Sequence, residues 1–168
     1  MVLLRSIFVL TTAAAAVMIG MLLGGCSSEN GGVSSVISEE SVTAKDVLTQ
    51  IDEELMDDSV FYGEEKFEKF CEKLYSVPSD EISDGGSIFS SGGGNADEIS
   101  MIKTEDPQKG EEILHDRLQS RSSTFESYKP EEMQKINSAE IFSAGDYWVL
   151  IISDDAERLK EEIKELIQ

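Results

Sequence analysis

One histidine, one tryptophan and two cysteines among 168 residues leave little room for side-chain chemistry. A zinc site, or a nucleophile held by a base and an orienting third group, needs several such residues at workable spacings. His115 has only Asp116, Glu111 and Glu112 near it on an expected helix, and it reads as an exposed surface residue. Basic residues are also scarce: 14 Lys and Arg stand against 34 Asp and Glu, a formal charge of −20. Phosphate recognition needs clustered Lys and Arg, so nucleic acid and anionic lipid are poor partners. No phosphate-binding glycine loop, G-x-S-x-G elbow or C-x-x-C pair occurs. No cofactor or metal is expected.

What the chain does have is one long apolar run. It opens after Arg5, extends from Ile7 to Leu23, and closes on Leu23-Gly24-Gly25-Cys26. A basic start, an apolar core and small residues before a cysteine form a lipobox, in which the Cys26 thiol takes the lipid and the chain is cut just before it. A plain membrane anchor would use a run of about the same length, roughly 20 residues. The Ala- and Gly-rich composition and the lack of a Lys/Arg cluster after Cys26 argue against that. Residues 1–25 are therefore expected to be a lipoprotein signal peptide. A diacylglyceryl thioether brings two acyl chains, enough for stable anchoring. The expected location is the extracytoplasmic face of the cell membrane.

Removing residues 1–25 leaves 143 residues and takes away only Arg5 among the charges, so 13 basic and 34 acidic side chains remain, net −21. The acidic surface keeps the domain soluble and would attract a cationic partner or the basic face of a protein. If Cys26 carries lipid, Cys71 has no intrachain partner and no disulfide forms. Cys71 lies in the series Phe67, Phe70, Cys71, Leu74, the spacing of one buried helix face, and is expected to be an inert core thiol.

Residues 26–42 read as a flexible tether of Ser, Gly, Glu and Asn. About 16 such residues have a root-mean-square span of about 20–25 Å. A single α+β domain then occupies 43–168. Thr43 and Asp46 begin a helix whose apolar stripe is Val47, Leu48, Ile51 and Leu55. A second helix runs from about Gly63 to Tyr75 and ends before Pro78.

The rest of the chain has a repeated order. Ile88-Phe89-Ser90, a glycine turn at 91–95 and the strand Glu98 to Lys103 lead to a helix opened by Asp106-Pro107. Ile141-Phe142-Ser143, a turn at Ala144-Gly145-Asp146 and Tyr147 to Ser153 lead to a helix after Asp154-Asp155. Alignment of the two pairs Asp97 with Asp146, Met101 with Leu150, Ile102 with Ile151 and Leu114 with Ile163. Internal duplication and a chance echo of two similar local structures both remain open. Two hairpin–helix units predict a four-stranded antiparallel sheet with both helices on one face and two N-terminal helices on the other. Tyr147 to Ile152 is apolar on both sides, so this strand is expected at the sheet centre with Trp148 shielded.

Two motifs carry less than they suggest. Ser100-Met101-Ile102-Lys103 matches the S-x-x-K pattern of penicillin-binding proteins, but residues three apart on a strand point to opposite faces. Asp80, Glu81, Asp84, Asn95, Asp97 and Glu98 flank flexible turns but lack the alternating register of a calcium loop, and a solvated loop is expected.

Three stretches carry a resemblance: Ala96-Asp97-Glu98-Ile99; Phe125-x-x-Tyr128-x-Pro130-Glu131-Glu132; and Gly145-x-Tyr147-x-x-Leu150-x-Ile152-Ser153-Asp154-Asp155. From about Thr43 to the C-terminus the chain resembles an uncharacterised family of small lipoproteins from clostridia and related Gram-positive bacteria, a domain of unknown function. The resemblance implies a lipid-anchored extracellular domain and supplies no catalytic residues.

The leading functional expectation is a non-enzymatic binding or accessory module at the membrane, with Cys26 lipidation as its one site. The alternatives are a small cell-envelope hydrolase or metal-dependent enzyme, and a solute-binding lipoprotein of a transporter.

Overall fold

A computed structural model describes residues 41–51, 53 and 56–168. Cys26, the signal segment, most of the tether and Leu55 lie outside the described residues.

The first helix, α1 (Ala44–Leu48), starts as expected. The Thr43 hydroxyl accepts from the Asp46 amide while the Asp46 carboxylate accepts from the Thr43 amide, a closed capping box. The helix is short. Ile51 is buried beyond its end, so the Val47–Leu48–Ile51 stripe survives without a continuous helix.

A strand not expected from the sequence follows. β1 (Asp58–Phe61) pairs with β2 (Asp84–Phe89) and adds a fifth strand to the expected four. Gly85 and Gly86 are the reason β2 begins so early. A Cβ on Gly86 would stand 2.6 Å from Cδ1 of Phe61, so a bare backbone there lets Phe61 lie across the strand. With β3 (Glu98–Lys103), β4 (Glu140–Ala144) and β5 (Tyr147–Ile152), the antiparallel sheet has the order β1-β2-β3-β5-β4. The central strand is β3, and the Trp148 strand β5 sits beside it. The turn between β4 and β5 is closed by Gly145, at φ +54°, a conformation that favours glycine.

The second N-terminal helix is also shorter than expected. α2 (Phe67–Phe70) runs directly into a π-helical turn, Cys71–Tyr75, ended by Ser76 at φ 58°. The extra residue in that turn rotates Tyr75 inward, so Phe67, Phe70, Cys71 and Tyr75 are buried while Leu74 is half-buried.

The remaining helices are α3 (Pro107–Tyr128), α4 (Met133–Asn137) and α5 (Ala156–Ile167). They do not share a face. One layer joins α1 and α5 to the strand face of Ile99, Met101, Val149 and Ile151. The other joins α2, the π turn, α3 and α4 to the face of Ile102, Leu150 and Ile152. The physical cause is the amount of apolar surface. Both central strands are buried on both faces, and five residues of α1 are too few to seal one face, so the twelve of α5 complete it.

This arrangement also settles the internal repeat. Met101 and Leu150, paired by the repeat, point to opposite faces, as do Ile102 with Ile151 and Leu114 with Ile163. A two-fold axis relating antiparallel neighbours in one sheet is normal to that sheet and keeps equivalent residues on one face. The repeat is one of local order, not of three-dimensional symmetry.

Candidate functional site

Two polar features stand out, one buried and one open. The buried one begins at Glu98, which shares strand parity with Ser100 and Ile102 and therefore faces α3. On α3 the stripe Leu114, Arg117, Arg121, Phe125 places two guanidinium groups on the inward side. Arg117 donates from Nε to Glu98 Oε1 at 2.9 Å and from a terminal nitrogen to Oε2 at 2.7 Å. Arg121 approaches Oε2 at 3.4 Å and lies over the Phe125 ring. The Ser100 hydroxyl donates to Oε1 at 2.9 Å and meets the Ser87 hydroxyl at 3.0 Å. Burial alone would push the Glu98 carboxyl up, but the Arg117 charge and hydrogen bonds, with Arg121 and Ser100, hold it below the ordinary range. The Tyr75 hydroxyl is buried beside this cluster without a hydrogen-bond partner, and burial with the Glu98 charge raises its pKa.

A second knot adjoins the first. Lys135 reaches Asp97 at 2.8 Å, Glu132 at 3.1 Å and Asp154 at 3.8 Å, and Glu132 also accepts the Ala96 amide at 3.0 Å. The three stretches of the sequence resemblance thus meet around one lysine, which ties the start of β3 to the helical turn before α4 and to the end of β5. This corrects the sequence reading of Asp97 and Glu98: they are buried ion-paired carboxylates, not a solvated loop. Asp84 is also recruited to structure, accepting the Ala44 amide at 2.9 Å and the Tyr147 hydroxyl. Asp80 and Glu81 are exposed, as expected.

The open feature is a cleft of about 560 Å³ at the end of the sheet where β3 stops and β5 starts. Its lining includes Trp148, Tyr147, Pro107, Lys103, Glu105 and Asp146. Trp148 is half-buried, a correction to the expectation of full shielding. Its ring packs against Gly110 of α3, where an added Cβ would stand 3.0 Å from Trp148 Cδ1, and its remaining surface lines the cleft. Lys103 and Asp146 pair across the rim at 2.7 Å; Glu105 is exposed, with no ion-pair partner among the described residues.

Of the other singled-out residues, Lys103 lines this cleft, whereas Cys71, His115 and Ser100 do not. Cys71 is fully buried, and burial pushes its thiol up to about 12. His115 is exposed, 3.9 Å from Glu111. Ser100 and Lys103 point to opposite faces, the first held by Glu98 and the second by Asp146. Among the described residues no group of three His, Cys, Asp or Glu is placed to hold a metal ion, and no helix is long and apolar enough to cross a membrane.

The fold is therefore an α+β domain built on an open five-stranded antiparallel sheet, with helices on both faces and a tryptophan-lined cleft at one end. The chain belongs to the family defined by a domain of unknown function, DUF4358, which matches residues 56–153. That span is narrower than the Thr43-to-C-terminus range of the sequence resemblance. It takes in the whole sheet and one helical layer, and leaves out α1 and α5. No curated protein and no solved structure matches the chain.

Proposed function

We propose that the protein is a lipid-anchored, extracytoplasmic binding or accessory module at the cell membrane, without enzymatic activity. One observation carries the anchor: the apolar run that ends in Leu23-Gly24-Gly25-Cys26 with no stop-transfer charges behind it. About 16 residues then separate Cys26 from Thr43, a reach of about 20–25 Å from the bilayer surface. The non-enzymatic reading is supported by how the reactive side chains are used. The Cys71 thiol is buried, the Ser100 hydroxyl is spent on Glu98, and Lys103 is spent on Asp146. What the domain offers a partner is an acidic surface and the Trp148 cleft.

The anchor is tested by fractionation and acyl labelling of wild type and Cys26→Ser. The expected result is label on wild type alone and release of the variant from membranes. Equal membrane retention with no label on wild type overturns it. The module is tested by crosslinking the anchored protein in its native membrane, with a defined protein partner as the expected outcome. Turnover of a cell-wall fragment by the purified domain would favour the hydrolase reading instead. Tight retention of a small solute would favour a transporter's binding protein.

A further inference from the structure

The cleft at the sheet end has a chemistry that selects its occupant. Tryptophan is the best aromatic partner for a cation. Here Trp148 lines a cleft whose rim carries Glu105 and Asp146, both exposed, with Asp146 at 74% side-chain exposure. Lys103 offsets only one of the two carboxylates. The chain as a whole carries −20, so the long-range field draws cations toward any opening on this surface. Among the described residues no cation of the protein itself lies over the Trp148 ring, although four such contacts form elsewhere, on Phe61, Phe125 and Phe142.

The geometry points to the Trp148 cleft as the docking site for a lysine- or arginine-bearing segment of a protein partner, with the cationic side chain against the indole and between Glu105 and Asp146. This rests on the reading of the domain as a binding module and supplies the chemistry of what it binds.

The single tryptophan makes the test direct, because its fluorescence reports the cleft alone. The probe is a capped Lys-Gly-Lys peptide, titrated at about 150 mM salt to limit diffuse attraction. Its counterpart has both lysines acetylated. The expected result is a saturable one-to-one change in emission for the charged peptide, none for the acetylated one, and weaker binding by about five- to tenfold in Glu105→Gln/Asp146→Asn. No saturable change up to millimolar peptide overturns the assignment, as does a change that the double variant leaves intact. Calorimetric binding with silent tryptophan would overturn this site while leaving the binding-module reading standing.

Discussion

Glu98 and Arg117 form a two-pronged ion pair, at 2.9 and 2.7 Å, across the interface between the central strand β3 and α3. Both side chains are nearly sealed from water, and Arg121 supplies a second cation to the same carboxylate. Breaking such a pair from one side leaves a buried charge without compensation, which costs about 3–5 kcal/mol. Because Arg121 still faces the carboxylate, Arg117→Met is expected to lower urea-unfolding stability by at most that amount. Replacing both partners, Glu98→Leu with Arg117→Met, leaves only Arg121 without its carboxylate and is expected to cost less than Glu98→Leu alone, which strands both guanidinium groups. A double variant weaker than either single one would show that the pair itself, not the orphaned charge, dominates.

The same carboxylate sets an acid limit on the fold. Burial works against the Glu98 charge, but Arg117, Arg121 and Ser100 outweigh it and depress its folded-state pKa; Glu132, bonded to the Ala96 amide and Lys135, is depressed too. A group depressed in the folded state contributes fully above its unfolded pKa, about 4.3 for glutamate, and loses that contribution as pH falls through the folded value. Stability is expected to be flat near neutrality and to fall below about pH 4.5. Glu98→Gln should flatten that acidic slope. A variant as acid-sensitive as wild type would assign the slope to other groups.

Cys71 is expected to be inert. Its thiol is buried in the π turn and its pKa is pushed up to about 12, so almost no thiolate exists near neutrality. In a Cys26→Ser background, reaction with a thiol reagent should proceed at the rate of unfolding. Cys71→Ser should cost about 1–3 kcal/mol by placing a hydroxyl in the core. Labelling of the folded chain as fast as that of the denatured chain would contradict both.

Trp148 tests the half-open sheet end. Its ring rests on Gly110 and lines the cleft, so its emission should be intermediate, and a quencher should reach it more slowly than in the unfolded chain. Trp148→Ala should cost about 2–3 kcal/mol, below the range of fully buried aromatic truncations. A blue emission maximum closed to quencher would mean that the cleft is sealed.

The parts of the fold legible in the sequence are those fixed by local chemistry. The Thr43 cap, the Asp106-Pro107 helix start, the Gly145 turn and both central strands follow from neighbours within a few residues. β1 is not legible in this way, because Asp58–Phe61 is four residues long and depends on a distant glycine in β2, Gly86, to receive Phe61. Nor is the split of α3 and α5 between faces, because each hairpin–helix unit is locally complete without saying which way its helix turns. The ion network lies between these cases. Charge alone marks Glu98, Arg117 and Arg121 as surface residues, whereas their positions mark them as inward. Glu98 has the strand parity of Ile102, and the two arginines continue the Leu114–Phe125 stripe at intervals of three and four residues, a periodicity that the sequence itself displays.

α5 covers β4 and β5 through Leu159 and Ile163, both fully buried, while Lys160 and Lys164 lie over the Phe142 ring. Residues 56–153 contain nothing that can replace it on that face, since α2, α3 and α4 all pack on the other. The α1–α5 layer should thus be required to keep that apolar sheet face covered. Leu159→Ala and Ile163→Ala are each expected to lose about 2–5 kcal/mol, the range for large aliphatic truncations in a packed core. Ending the chain at Asp155 should expose Val149 and Ile151 together with Phe142, producing a chain that binds a hydrophobic dye and self-associates in sedimentation. A soluble, cooperatively unfolding monomer from that truncation would mean that α5 is dispensable, and that the face seen buried here tolerates water or finds a different cover.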